Sequence, residues 1–321
     1  MTQTQKQELN VVEPLDGEDL RRRFAEEVAE SGLSQAKIAR EVGTNPSYVN
    51  QYLKDGTCAG AREEFEAKVL RWVRTRESQR ALDRILPGED VFFPTPTSRR
   101  VLAALAYAQA GRSMAVVYGG AGLGKSTAAR HYATAASSVF LATVSPTSRK
   151  PGGLLKVLCR TLGLKASIWP TDMERSVVER LAGTRGLLIV DEAQHLTVES
   201  LETLRAIHDA AGIGLALLGN ERVYTQMVGT RTAEFAQLFS RLGHRVKLVN
   251  QTAGPDAEAL LDAWVAPVDA PARTRLLGIA AKDGGLRQLM QTLKMATIAA
   301  GGERVTASHV SGAFADLGGD E

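Results

Sequence analysis

The sequence predicts an α/β protein. A parallel sheet with helices on both faces is followed by a helical lid and preceded by a separate all-helical domain. Three observations carry this reading. Gly119-Gly120-Ala121-Gly122-Leu123-Gly124-Lys125-Ser126-Thr127 fits the P-loop pattern G-x-x-x-x-G-K-[ST] and stands between an apolar run and a helical pattern. Four more apolar runs follow it, separated by helical patterns, which implies right-handed crossovers and a parallel sheet. Residues 17–86 and 253–321 show only helical periodicity.

In chain order, residues 1–16 read as a flexible tail. A helix begins at Gly17, with Leu20, Phe24 and Val28 at helical spacing. Gly32 ends it, and Ser34 is placed to cap the next helix, whose apolar stripe is Ile38, Ala39 and Val42. Gly43 makes a turn. Asn45 caps a third helix with Pro46 at its first position, and Val49 and Leu53 face the core. This is a helix-turn-helix pattern of the phage-repressor type. The exposed face of its third helix offers Ser47, Tyr48, Asn50, Gln51 and Lys54, where Asn and Gln suit adenine edges and Lys suits phosphate. The alternative is a three-helix packing module that never touches DNA. A long helix over Ala61–Leu86 completes the domain of residues 17–86, and residues 87–97, rich in proline and glycine, form a linker.

The α/β core spans residues 98–252. Ser98 is expected to cap a helix ending at Gly111. Strands are expected at 114–118, 138–145, 187–193, 213–220 and 245–249, with a helical stretch over 221–242.

The P-loop glycines let the backbone curl so that its N–H groups face a phosphate, and the helix that follows adds the positive end of its dipole. Lys125 would reach the β- and γ-phosphates of ATP, and the Ser126 hydroxyl would ligate Mg²⁺. Asp191 and Glu192 follow an apolar run, at the end of a strand where ligands of open parallel sheets sit. Asp191 would complete the Mg²⁺ shell and Glu192 would act as general base toward a water. Helix capping by the same two acids is the plainer alternative. Asn220 ends the next strand and would orient that water, the plainer alternative being an ordinary turn residue; Arg287, at the start of a lid helix, would reach and sense the γ-phosphate, the alternative being a surface arginine.

Charge is uneven. Residues 1–90 carry 14 Lys and Arg against 17 Asp and Glu, whereas residues 91–321 carry 25 against 19. The basic excess sits in the α/β part and is compatible with nucleic acid. Cys58 and Cys159 have no metal-site spacing and suit reduced thiols. No apolar run reaches bilayer-spanning length, and the polar start lacks a signal-peptide core, so a cytoplasmic protein without membrane contact is expected.

The glycine-rich loop, Leu188-Ile189-Val190-Asp191-Glu192, Asn220, Phe239-Ser240-Arg241 and Arg287 occur in the order found in AAA+ ATPases, and the chain resembles that family. More narrowly it resembles the target-selecting transposition ATPases of the phage Mu B type. Residues 212–224 and 231–241, and a helix-turn-helix joined to one ATPase module, carry this likeness, which runs from about residue 20 to about residue 317. The resemblance implies an ATP-dependent, largely sequence-nonspecific binder of double-stranded DNA that assembles as a helical filament. It further implies recruitment of a DDE-type transposase in a bacterial host, with stimulated hydrolysis giving target immunity. Arg241 matches the arginine finger that acts on a neighbouring protomer's γ-phosphate. The loop at 164–170 departs from the family: it carries one cation, Lys165, where the Mu protein is richly basic. Weight for DNA binding therefore shifts to Arg149 and Lys150. A helicase loader of the same ATPase class and a repressor-like binder without ATPase activity are the alternatives.

Overall fold

A computed structural model describes residues 16–57, 62–88, 91–228, 242–249, 253–282 and 285–319. The chain divides into two compact units, Met1–Ile85 and Leu86–Glu321.

The first unit contains α1 (Gly17–Ser31), α2 (Gln35–Val42), α3 (Pro46–Asp55) and α4 (Arg62–Ile85). Gly32, Gly43 and Gly56 end the first three helices in the left-handed conformation. Asn45 caps α3 as expected, its side chain accepting the N–H of Ser47 at 3.1 Å. Ser34 stands at the N-cap of α2 but makes no side-chain cap bond. The core is aromatic: Phe24 packs edge-on against Trp72 at 5.4 Å between centroids, and Tyr52 against Phe65 at 5.1 Å. Tyr52, rather than Leu53, is the fully buried partner of Val49 on α3. A tyrosine can take that place because its hydroxyl finds Glu66 at 3.2 Å.

The second unit opens with α5 (Pro96–Gly111). Thr95, not Ser98, is its cap: the Thr95 side chain accepts the Ser98 N–H, and Pro96 takes the first helical position. Proline has no N–H to lose there, so the helix starts earlier than the Ser98 signal indicates. Then follow β1 (Met114–Gly119), α6 (Lys125–Ala135), β2 (Val139–Thr143), α7 (Pro151–Thr161), α8 (Pro170–Leu181), β3 (Leu187–Asp191), α9 (Val198–Ala211), β4 (Gly214–Gly219), α10 (Glu221–Val228) and β5 (Leu242–Leu248). The strands form one five-stranded sheet in the order β2-β3-β4-β1-β5, every pairing parallel. β1, β3 and β4 are buried throughout, as strands covered on both faces must be.

β2, β3 and β4 are each shorter than the expected 138–145, 187–193 and 213–220. β5 begins at Leu242 rather than Arg245, and its register shifts between Met114 and Ala115 of β1, so Arg245 lies mid-strand opposite Val116. Helix expected over 221–242 is described only as far as Val228; residues 229–241 lie outside the described residues.

The lid comprises α11 (Ala253–Asp262), α12 (Ala270–Ala280), α13 (Gly285–Ala299) and α14 (Ala307–Asp316), around a core that includes Leu276, Leu289 and Leu293. A parallel bridge between Val268 and Val305 interrupts the all-helical pattern expected there. Asp256 of α11 is fully buried and accepts the Thr97 N–H at 2.8 Å, so a carboxylate from the lid satisfies a free donor at the start of α5. Among the described residues no helix is long and apolar enough to cross a membrane.

Candidate active site

β1 delivers the P-loop at its carboxyl end, and α6 begins at Lys125. Gly119 has φ 150°, and a Cβ there would lie 2.2 Å from the Leu248 carbonyl oxygen of β5. Only a glycine lets the loop leave the sheet this close to the neighbouring strand. The Lys125 ammonium donates to the carbonyls of Gly119 and Gly120 at 3.0 and 2.6 Å. Burial lowers the Lys125 pKa; the charges of Asp191 and Glu192 oppose that shift, and Arg287 adds to it.

A cavity of about 410 Å³ opens over this loop. Residues Ala121 through Thr127 line it together with Glu192 and Arg287, so the structure gathers most of the residues expected to handle a nucleotide. Asp191 is 5 % exposed at the end of β3 and does not line the cavity. One of its carboxylate oxygens accepts the Glu192 N–H at 2.9 Å. Glu192 leaves the strand in the left-handed conformation, φ 59°. It precedes a short 3-10 turn, Ala193–His195, without capping it through its side chain, so the capping alternative fails for this residue.

Asn220 is absent from the cavity wall. It follows β4 directly, and its side chain accepts the Arg222 N–H at 2.9 Å at the start of α10. Its link to the acids is indirect and runs through Gln194. The Gln194 amide donates to the Glu192 carboxylate, and its carbonyl oxygen accepts the Asn220 N–H at 3.3 Å. Gly219 makes room for that oxygen: a Cβ at 219 would stand 2.4 Å from it.

The sequence pattern missed several lining residues. Phe92, in the segment read as linker, lines the cavity and stacks on His131 of α6 at 3.9 Å between centroids, while Leu260 and Met290 come from the lid. Arg130 and Lys294 add two cations to the wall. Lys294 is legible from spacing alone, because Arg287, Gln291 and Lys294 stand at i, i+4 and i+7 and share one helix face. Phe92 carried no such signal. Arg241 lies outside the described residues, as do Phe239 and Ser240.

Elsewhere, Arg149 and Lys150 are exposed between β2 and α7, and Lys165 is exposed between α7 and α8. The Arg149 carbonyl accepts from Thr197 N–H at 3.1 Å and Ser200 Oγ at 2.7 Å, which ties this loop to the segment that follows Glu192. In the first unit Ser47, Asn50, Gln51 and Lys54 are exposed on α3, and Gln51 donates to Thr57 Oγ1 at 3.1 Å. Cys159 is buried as a free thiol whose pKa burial raises, and Cys58 lies outside the described residues.

A P-loop at the end of a central parallel strand, an Asp-Glu pair at the end of β3 and a helical lid that shares the P-loop cavity define a P-loop ATPase domain of the AAA+ class. The AAA domain family matches residues 108–227. The family Mu B transposition protein, C terminal, matches residues 240–317. The chain is 34% identical to the Mu-like prophage FluMu DNA transposition protein B of Haemophilus influenzae, over 84% of this chain and 93% of that protein. It is 36% identical to the ATP-dependent target DNA activator B of Escherichia phage Mu, over 88% and 89%. The chain belongs to the Mu B family of DNA transposition proteins. Among solved structures, domain III of the Thermotoga maritima replication initiation protein DnaA is similar at 17% identity, with a TM-score of 0.47 over 72% of this chain and 98% of that one.

Proposed function

We propose that this chain is an ATP-dependent DNA-binding ATPase that coats target DNA as a filament and delivers it to a DDE-type transposase. The observation that carries the reading is the single cavity shared by the P-loop, Glu192 and Arg287 in a chain whose phage Mu relative is an ATP-dependent target DNA activator. Lys125 would hold the β- and γ-phosphates, and Arg287 from the lid would sense the γ-phosphate. Glu192 would take the proton of the attacking water, with Asn220 assisting its orientation. Arg241 would act as the finger on a neighbouring protomer's nucleotide. Hydrolysis stimulated by DNA and by the transposase would clear the filament and give target immunity.

Mg²⁺ fits the donors present. The Ser126 hydroxyl at the start of α6 and the buried Asp191 carboxylate are hard oxygen ligands. Mg²⁺ keeps few protein ligands and takes the rest from phosphates and water. The ion would neutralise charge on the β- and γ-phosphates.

DNA phosphates would meet Arg149 and Lys150, with Lys165 nearby, and Ser47, Asn50, Gln51 and Lys54 of α3 would form a second DNA-facing surface. Electron microscopy of the full chain with duplex DNA, with and without ATP, tests the reading. Filaments that require ATP support it. DNA binding indifferent to nucleotide, or no binding, overturns it.

A further inference from the structure

We propose that Ile168 and Trp169 form an apolar wedge that enters duplex DNA while the cations around them hold its phosphates. The inference rests on the DNA-binding reading above and adds a contact of a different kind. Trp169 is 64 % exposed and Ile168 is 85 % exposed, side by side at the turn between α7 and α8. The other two tryptophans, Trp72 and Trp264, are each 7 % exposed.

The exposure is built in. Gly163 closes α7 in the left-handed conformation, with Gly163 N–H donating to the Arg160 carbonyl and Leu164 N–H to that of Cys159. Leu164 is packed against the main core. Ser167 Oγ accepts the Trp169 N–H at 3.1 Å, the Trp169 carbonyl accepts from Met173 at 3.3 Å, and Pro170 opens α8. Both ends of the turn are anchored, and the two large apolar side chains are held out between them.

The surroundings select the occupant. From residue 149 to residue 175 the chain carries six Lys and Arg against two Asp and Glu. Lys156, Arg160, Lys165 and Arg175 are all exposed. The Pro170 ring lies 4.0 Å from where a Cβ on Gly152 would stand, so the tip sits over the first turn of α7, close after Arg149 and Lys150. A partner for this hairpin is a polyanion that also offers apolar surface. Duplex DNA is one: phosphates outside, stacked bases inside, and grooves into which apolar side chains wedge at flexible steps.

The test uses the full chain with ATP, Mg²⁺ and a duplex oligonucleotide. Tryptophan emission should change on DNA addition in the unsubstituted chain and stay flat in Trp169→Phe, because the two remaining tryptophans are buried. Ile168→Ser with Trp169→Ser should weaken DNA binding about tenfold at every salt concentration while leaving the slope against salt unchanged, since no phosphate contact is removed. ATP binding should be unaltered, which reports that the fold is intact. Unchanged affinity together with emission indifferent to DNA overturns the wedge alone. An emission change that follows protein concentration without DNA overturns it in favour of contact between copies of this chain. Failure of the unsubstituted chain to bind DNA overturns the wedge together with the reading on which it rests.

Discussion

Gln194 holds Glu192: its side-chain amide donates to the glutamate carboxylate, while its carbonyl oxygen is anchored on the Asn220 N–H. In the proposed mechanism the Glu192 carboxylate takes a proton from a water, which requires it to point at that water, and this amide would aim it. Gln194→Ala should lower kcat roughly ten- to hundredfold with KM little changed, because misplacement of a reacting group by about 1 Å costs on that order. Steady-state ATPase measurements on Gln194→Ala, beside binding of an ATP analogue as the check on the fold, test this, and an unchanged kcat would show that Gln194 acts elsewhere.

Lys125→Ala should lose nucleotide binding, and Glu192→Gln should bind ATP without turning it over, because an amide cannot accept the water's proton. Binding of a fluorescent ATP analogue beside phosphate release separates the two. Hydrolysis by the Gln variant at the unsubstituted rate would remove Glu192 from the role of base.

Burial lowers the Lys125 pKa below the ordinary lysine value, against support from Asp191 and Glu192. A buried ammonium is a cost to the folded state. That cost is present below the lowered pKa and relieved as pH rises toward the unfolded value. Nucleotide binding needs the proton, so affinity should fall as pH rises through the lowered pKa. Glu192→Gln removes part of the support and should move the fall to lower pH. Titrations of affinity across alkaline pH for both chains check the direction.

Asp256→Ala leaves the buried Thr97 N–H without its acceptor. The loss should be about 1–3 kcal/mol, the usual cost of a buried donor left unsatisfied, seen as a lowered Tm. Asp256→Asn keeps an acceptor oxygen and should lie much closer to the unsubstituted chain.

Arg241→Ala should bind ATP normally and lose DNA-stimulated hydrolysis, by at most the 10³–10⁵-fold range of arginine fingers. Mixed with Lys125→Ala on DNA, it should regain part of the activity, since some junctions then pair an intact P-loop with an intact finger. Co-assembly without recovery would assign Arg241 a role inside its own chain.

The parts of the site legible in the sequence are those whose function depends on local pattern. The P-loop is one continuous stretch, and Asp191 and Glu192 announce themselves by ending an apolar run. Arg287 was found through family resemblance and motif order. Gln194 was not legible, because its role depends on Gly219, twenty-five residues further on, leaving space for its carbonyl oxygen. Phe92 sits in a proline-rich stretch that reads as linker, and only the approach of α6 gives it a partner in His131. The strands were legible as apolar runs, whereas their ends were not. β5 starts three residues earlier than its apolar residues indicate because pairing with β1, not hydrophobicity, sets its start.

The cavity has walls from two hydrophobic clusters, and Leu286 of α13 packs against both the lid cluster and the one beneath the P-loop. A molecule seated there is a removable rivet. At about a hundred times its dissociation constant it adds roughly 2.7 kcal/mol to whatever holds the folded state together, and losing part of it on turnover takes some of that away. In the proposed reading the nucleotide would thus also fasten the lid to the sheet, and part of that hold would go with each turnover.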